Sequence, residues 1–86
     1  MDEYIKKYLD YLNYQKKYSK NTIKGYEEDI IFFKQYLTTK NYQILEVDYQ
    51  LIREFYNYMD QQKLSKNTIS RKISAIRNLY KYLARN

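Results

Sequence analysis

The residues best suited to chemistry lie past Asp60, where seven basic side chains follow with no acid among them: Lys63, Lys66, Arg71, Lys72, Arg77, Lys81 and Arg85. Charge of one sign clustered in this way attracts polyanions and raises their encounter rate. At about 100° per residue, a helix through this segment has an apolar stripe centred on Ile69, Ile76 and Leu83. The opposite face collects Asn67, Ser70, Arg71, Ser74, Asn78, Lys81 and Arg85, with Arg77 on its flank. Cations, amides and hydroxyls are the donors that phosphates and base edges accept, and small Ser70 and Ser74 let the backbone approach a groove closely. The first-turn amides of Lys66, Asn67 and Thr68 add a helix N-terminus, whose dipole favours a phosphate. Lys72 falls toward the apolar stripe and carries less weight.

A second grouping of the same kind stands 46 positions earlier. The pentapeptide Ser-Lys-Asn-Thr-Ile occurs at Ser19–Ile23 and again at Ser65–Ile69, and eight of 20 aligned positions are identical from Tyr18 and Leu64 onward. A repeat of this length marks one supersecondary unit used twice. Lys20, Asn21, Thr22 and Lys24 are therefore expected to give a second phosphate anchor. The copies then diverge in charge, the first continuing through Glu27, Glu28 and Asp29 and the second through Arg71, Lys72, Arg77 and Lys81. An acidic middle confines any polyanion contact of the first copy to its opening two turns.

Catalysis finds little support. The three consecutive carboxylates point in different directions on a helix and do not converge on one bond or metal. With no histidine and no cysteine there is neither imidazole catalysis nor a thiolate site, and one glycine in 86 residues rules out a phosphate-cradling glycine loop. Ser19 and Ser65 read as helix caps, and no cofactor is expected. No run approaches the ~20 apolar residues of a membrane span, and Met1-Asp2-Glu3 does not open a secretory signal, so a cytoplasmic protein is expected. The 13 tyrosines accompany abundant Lys, Asn and Ile, and no single one stands out on number alone.

Four helices must position these groups, and the absence of proline favours them over a turn-rich sheet. The first runs from about Asp2 to Lys16 with Tyr4, Ile5, Tyr8, Leu9 and Leu12 on one stripe. The second runs from Ser19 to about Thr39 with Ile23, Tyr26, Ile30, Phe33 and Leu37 inward, and Phe32 is expected against the first helix. Lys40 to Val47 reads as a connecting loop. Asp48 caps a third helix to about Gln62, with Leu51, Ile52, Phe55 and Met59 inward and Tyr56 and Tyr58 half-buried. Ser65 caps the fourth, with Ile69, Ile73, Ile76, Tyr80 and Leu83 inward. Tyr18 with Ile23, Val47 with Ile52, and Leu64 with Ile69 have the spacing of hydrophobic staples, which fix the entry of a chain into a helix. The expectation is one all-α domain over residues 1–86, a compact four-helix fold of two similar hairpins related by a pseudo-twofold.

Several stretches resemble the N-terminal SAM-like, or core-binding, domain of phage-integrase and Xer-type tyrosine recombinases. They are Tyr8-Leu9-Asp10-Tyr11-Leu12; Ser19 to Ile23 with Tyr26, Asp29, Phe33 and Leu37; Val47-Asp48 with Ile52-Arg53-Glu54-Phe55; and Leu64 to Arg77 with Tyr80 to Leu83. The resemblance implies one half of a clamp around double-stranded DNA, with the second and fourth helices against the major groove. It also implies a separate C-terminal catalytic domain, recombinase subunits as partners of the full-length protein, and a monomeric isolated domain. None of the tyrosines here is then the nucleophile, and the chain reads as a domain excised from a larger enzyme. Carried over by position, the contacts are Lys20, Asn21, Thr22 and Lys24, then Ser65, Lys66, Asn67, Thr68, Arg71, Ser74 and Arg77. Lys81 joins them from the helix-face reading. Gly25 sits where a helix prefers another residue, through either close DNA approach or tolerance. A helix-turn-helix transcriptional regulator and a helical protein-interaction module remain the alternatives.

Overall fold

Side-chain caps decide where each helix starts. The computed structural model describes residues 2–85 and contains four α-helices: α1, Glu3–Tyr14; α2, Lys20–Thr39; α3, Tyr49–Gln61; and α4, Lys66–Arg85. Asp2 accepts from the Tyr4 amide at 2.8 Å, Ser19 from Thr22 at 3.2 Å, Asp48 from Leu51 at 2.9 Å, and Ser65 from Thr68 at 3.1 Å. Each bond satisfies an amide that has no partner inside its helix. In both repeat copies the serine hydroxyl also donates to the threonine three residues on, at 2.9 Å. The shared pentapeptide is a capping device used twice.

At the other ends the chain turns without glycine. Lys17, Asn41 and Lys63 have φ of 54°, 62° and 63°, the left-handed conformation that closes a helix. After α2 the Tyr42 amide reaches back to Leu37, and after α3 the Leu64 amide reaches back to Met59. The first helix ends at Tyr14, short of the expected Lys16, because the chain already turns at Lys17.

The stretch read as a connecting loop holds a 3₁₀ turn, Ile44–Glu46, locked by reciprocal bonds between Gln43 and Glu46. It drops Ile44 into the core, and the Tyr80 hydroxyl donates to the Ile44 carbonyl at 2.7 Å. Proximity to that carbonyl ties α4 to the loop.

The core is formed by Ile5, Tyr8 and Leu12 of α1, Ile30, Phe33, Tyr36 and Leu37 of α2, Leu51, Phe55 and Met59 of α3, and Ile69, Ala75, Ile76 and Leu79 of α4. The most extensive helix contact is between α2 and α4; α1 packs on both, and α3 packs on α4. Rings join α2 to α3, with Phe33 and Tyr36 each 5.0 Å from Phe55. The all-α reading and its four elements hold. Several side chains sit differently from expectation. Phe32 packs on Phe55 and Tyr58 of α3 rather than on the first helix. Tyr4, Tyr56 and Tyr58 are exposed. On α4 the buried residues are Ile69, Lys72, Ala75, Ile76 and Leu79, while Ile73, Tyr80 and Leu83 are half-buried. The inward face of α4 is thus turned by about 35° from the Ile69–Ile76–Leu83 line, because α2 rather than α3 covers most of it. Val47, Ile52, Leu64, Ile69 and Ile23 lie against the core as staples require, but Tyr18 is exposed and stacks on Tyr26 at 6.1 Å.

Candidate nucleic-acid interface

The rotation of α4 selects which cations face outward. Ser70, Ser74, Arg77, Lys81 and Arg85 are exposed, as are Lys66 and Asn67 in the first turn. None of Lys66, Arg77, Lys81 and Arg85 has a carboxylate partner among the described residues, where the ion pairs involve Lys7, Lys34, Arg71 and Lys72. No described carboxylate neutralises the charge of this face.

Arg71 and Lys72 stand differently. Asp29 of α2 is 2% exposed, and both cations converge on it. Arg71 Nε and Nη2 donate to its two oxygens at 3.1 Å each, and Lys72 Nζ donates at 2.9 Å. The Lys72 ammonium also lies 4.6 Å from the centre of the Phe32 ring, so its charge meets a carboxylate and an aromatic face together. Part of the charge divergence between the repeat copies is therefore internal pairing. Asp29 does not belong to a solvated acidic surface with Glu27 and Glu28. Its signal was present in the sequence: Asp29 shares a helical face with Phe33 and Tyr36, and Lys72 shares one with Ile69 and Ile76. A polar residue on each of two apolar stripes, opposite in charge, points to a buried pair. Arg71 remains 62% exposed at its side chain, with the rest of its guanidinium open to solvent.

The helix N-termini differ from expectation in one respect. Thr68 and Thr22 amides are taken by the cap serines, so the unbonded first-turn amides are those of Lys66 and Asn67 in α4 and Lys20 and Asn21 in α2. Thr68 is half-buried, and its hydroxyl receives the Ser65 proton. Lys20, Asn21, Thr22, Lys24 and Ser65 are exposed.

Cross-contacts order these groups along α4. The Asn78 amide lies 3.5 Å from the Tyr26 hydroxyl, while Asp29, further along α2, meets Arg71. The N-terminus of α2 consequently lies beside the C-terminal half of α4, near Lys81. At 1.5 Å per residue, Thr68 and Asn78 are about 15 Å apart along α4. The two anchors bracket a basic helix instead of forming one cluster. Gly25 lies in the second turn of α2, and a Cβ added there would meet nothing within 4 Å. No helix among the described residues is long and apolar enough to cross a membrane, and no group of three acidic, histidine or cysteine side chains could hold a metal there.

A family model described as the phage integrase N-terminal SAM-like domain matches residues 5–86. Tyrosine recombinase XerC of Staphylococcus aureus is 33% identical over 75 residues, which cover 87% of this chain and 25% of that protein. XerC of strains JH9 and JH1 is 32% identical over the same shares. The chain spans about a quarter of the length of these relatives. No solved structure matches it.

Proposed function

The chain belongs to the phage integrase N-terminal SAM-like domain family, and from that premise we propose that it binds duplex DNA as one half of a clamp, through α2 and α4. The domain is the non-catalytic part of a tyrosine recombinase, and strand cleavage belongs to the remainder of such a protein. Site recognition for integration or recombination, alongside other recombinase subunits, is the role that fits. One observation carries the reading: among the described residues, Lys66, Arg77, Lys81 and Arg85 of α4 have no carboxylate partner, and they lie between two helix starts whose leading amides are unbonded there. Phosphates supply the missing anions, and Asn67, Ser70, Ser74 and Asn78 offer donors for base edges. Family membership supports this reading over the regulator and interaction-module alternatives.

The test is fluorescence anisotropy with random-sequence duplex DNA across a salt series. Affinity should fall linearly with salt on logarithmic axes as counterions are released. Arg77→Ala should weaken binding about tenfold without lowering the thermal midpoint, the size expected for one cationic contact. No duplex binding at low salt would end the proposal.

A further inference from the structure

We propose that the cleft between α3 and α4 holds the phosphate backbone of the second DNA strand, with Arg53 and Asn57 as contacts from α3. This deepens the DNA-binding reading above and rests on it. A helix with its side chains is about 10–12 Å across and the major groove is about 12 Å wide, so an inserted helix runs between two phosphate strands. Donors are needed on both of its flanks. On one flank stands α2, with its leading amides, Lys20 and Lys24. On the other stands α3, which carries no part of the sequence-derived site.

The structure furnishes that second flank. Arg53, Tyr56 and Asn57 of α3 line an open cleft with Lys66, Ser74 and Arg77 of α4, and no acid lines it. Its three cations lack carboxylate partners among the described residues, in contrast to Arg71 and Lys72 on the α2 flank. Arg53 rests 6.0 Å from the Tyr49 ring centre, a contact that keeps its guanidinium on the outer surface of α3. Half-buried Ile52 and Ile73 floor the cleft. Three free cations, an amide and hydroxyls along a strip that two helices share suit a run of phosphates.

The experiment compares the wild type, Arg53→Ala/Asn57→Ala and Lys20→Ala/Lys24→Ala on random duplex DNA and on a single-stranded oligonucleotide. Arg53 and Asn57 are exposed, so an unchanged thermal midpoint is expected for their double variant. It should bind duplex DNA about tenfold more weakly, with a salt slope lower by about one. On single-stranded DNA its loss should be smaller than on the duplex, because a lone strand can lie along the α2 flank instead. Wild-type duplex affinity in this variant, with weakened binding in Lys20→Ala/Lys24→Ala, overturns the α3 contact and leaves the general reading standing. An equal defect on single-stranded DNA also overturns it. Absence of duplex binding by the wild type overturns both.

Discussion

Asp29 accepts from two neighbouring cations of α4, and their unequal burial predicts unequal mutational effects. Lys72 is 9% exposed, whereas the Arg71 side chain is 62% exposed. Asp29→Ala would leave the Lys72 ammonium buried without its carboxylate, a loss of about 3–5 kcal/mol. Arg71→Ala leaves the Asp29–Lys72 pair intact and removes a solvent-screened partner, a loss of about 1 kcal/mol or less. Urea midpoints for the two variants check this, and equal losses would contradict it. The same contrast refines what Arg71 offers to DNA, since two of its nitrogens already donate to Asp29 and only its outer edge is left to reach a phosphate. Helical spacing put Arg71 outside correctly. What it lacked was the crossing of α2 over α4, which sets Asp29 beneath it.

At the scale of the element, glycine stands where the helices do not need it and is missing where they end. Gly25 lies inside α2 with open space around a prospective Cβ, so Gly25→Ala should raise stability by up to ~1 kcal/mol. Lys63 closes α3 in the left-handed region at φ 63°, and Lys63→Gly should gain about 1 kcal/mol by relieving its Cβ. Thermal denaturation of each variant tests the gains. DNA affinity of Gly25→Ala adds a second reading, because a stabilised variant that binds DNA less well would identify close approach of the duplex to this turn. Helix starts were legible from Ser19, Asp48 and Ser65, whose caps act within one turn. The 3₁₀ turn at Ile44–Glu46 stands in the stretch read as loop although its Gln43–Glu46 lock is local, and only its docking through Tyr80 depends on a distant helix.

For the whole molecule, the tyrosines make stability sensitive to alkali. Burial raises the phenols of Tyr8 and Tyr80 far above the ordinary value, and burial with the nearby Glu54 charge raises Tyr36. A folded-state pKa above the unfolded one favours the neutral, folded form. That stability is intact below about pH 10, where unfolded tyrosine ionises, and is lost as pH rises from there toward the folded-state values. Denaturant midpoints should hold steady through neutral pH and decline above about pH 10. Tyr80→Phe should soften the decline while removing the bond to Ile44. A flat profile to pH 11 would mean that these rings are more hydrated than their packing indicates.

By itself the sequence determined the four helices, their starts and the basic character of the last one, because caps, staples and apolar periodicity operate over a few residues. It also carried the family resemblance, which the match over residues 5–86 bears out. Only the tertiary structure decided which cations are free. Burial of Asp29 under the α2–α4 crossing draws Lys72 inward and engages one edge of the exposed Arg71, and the packing of α3 beside α4 adds Arg53 and Asn57 to the exposed surface. Charge availability depends on pairing between residues more than 40 positions apart, and no local pattern encodes the angle at which two helices cross.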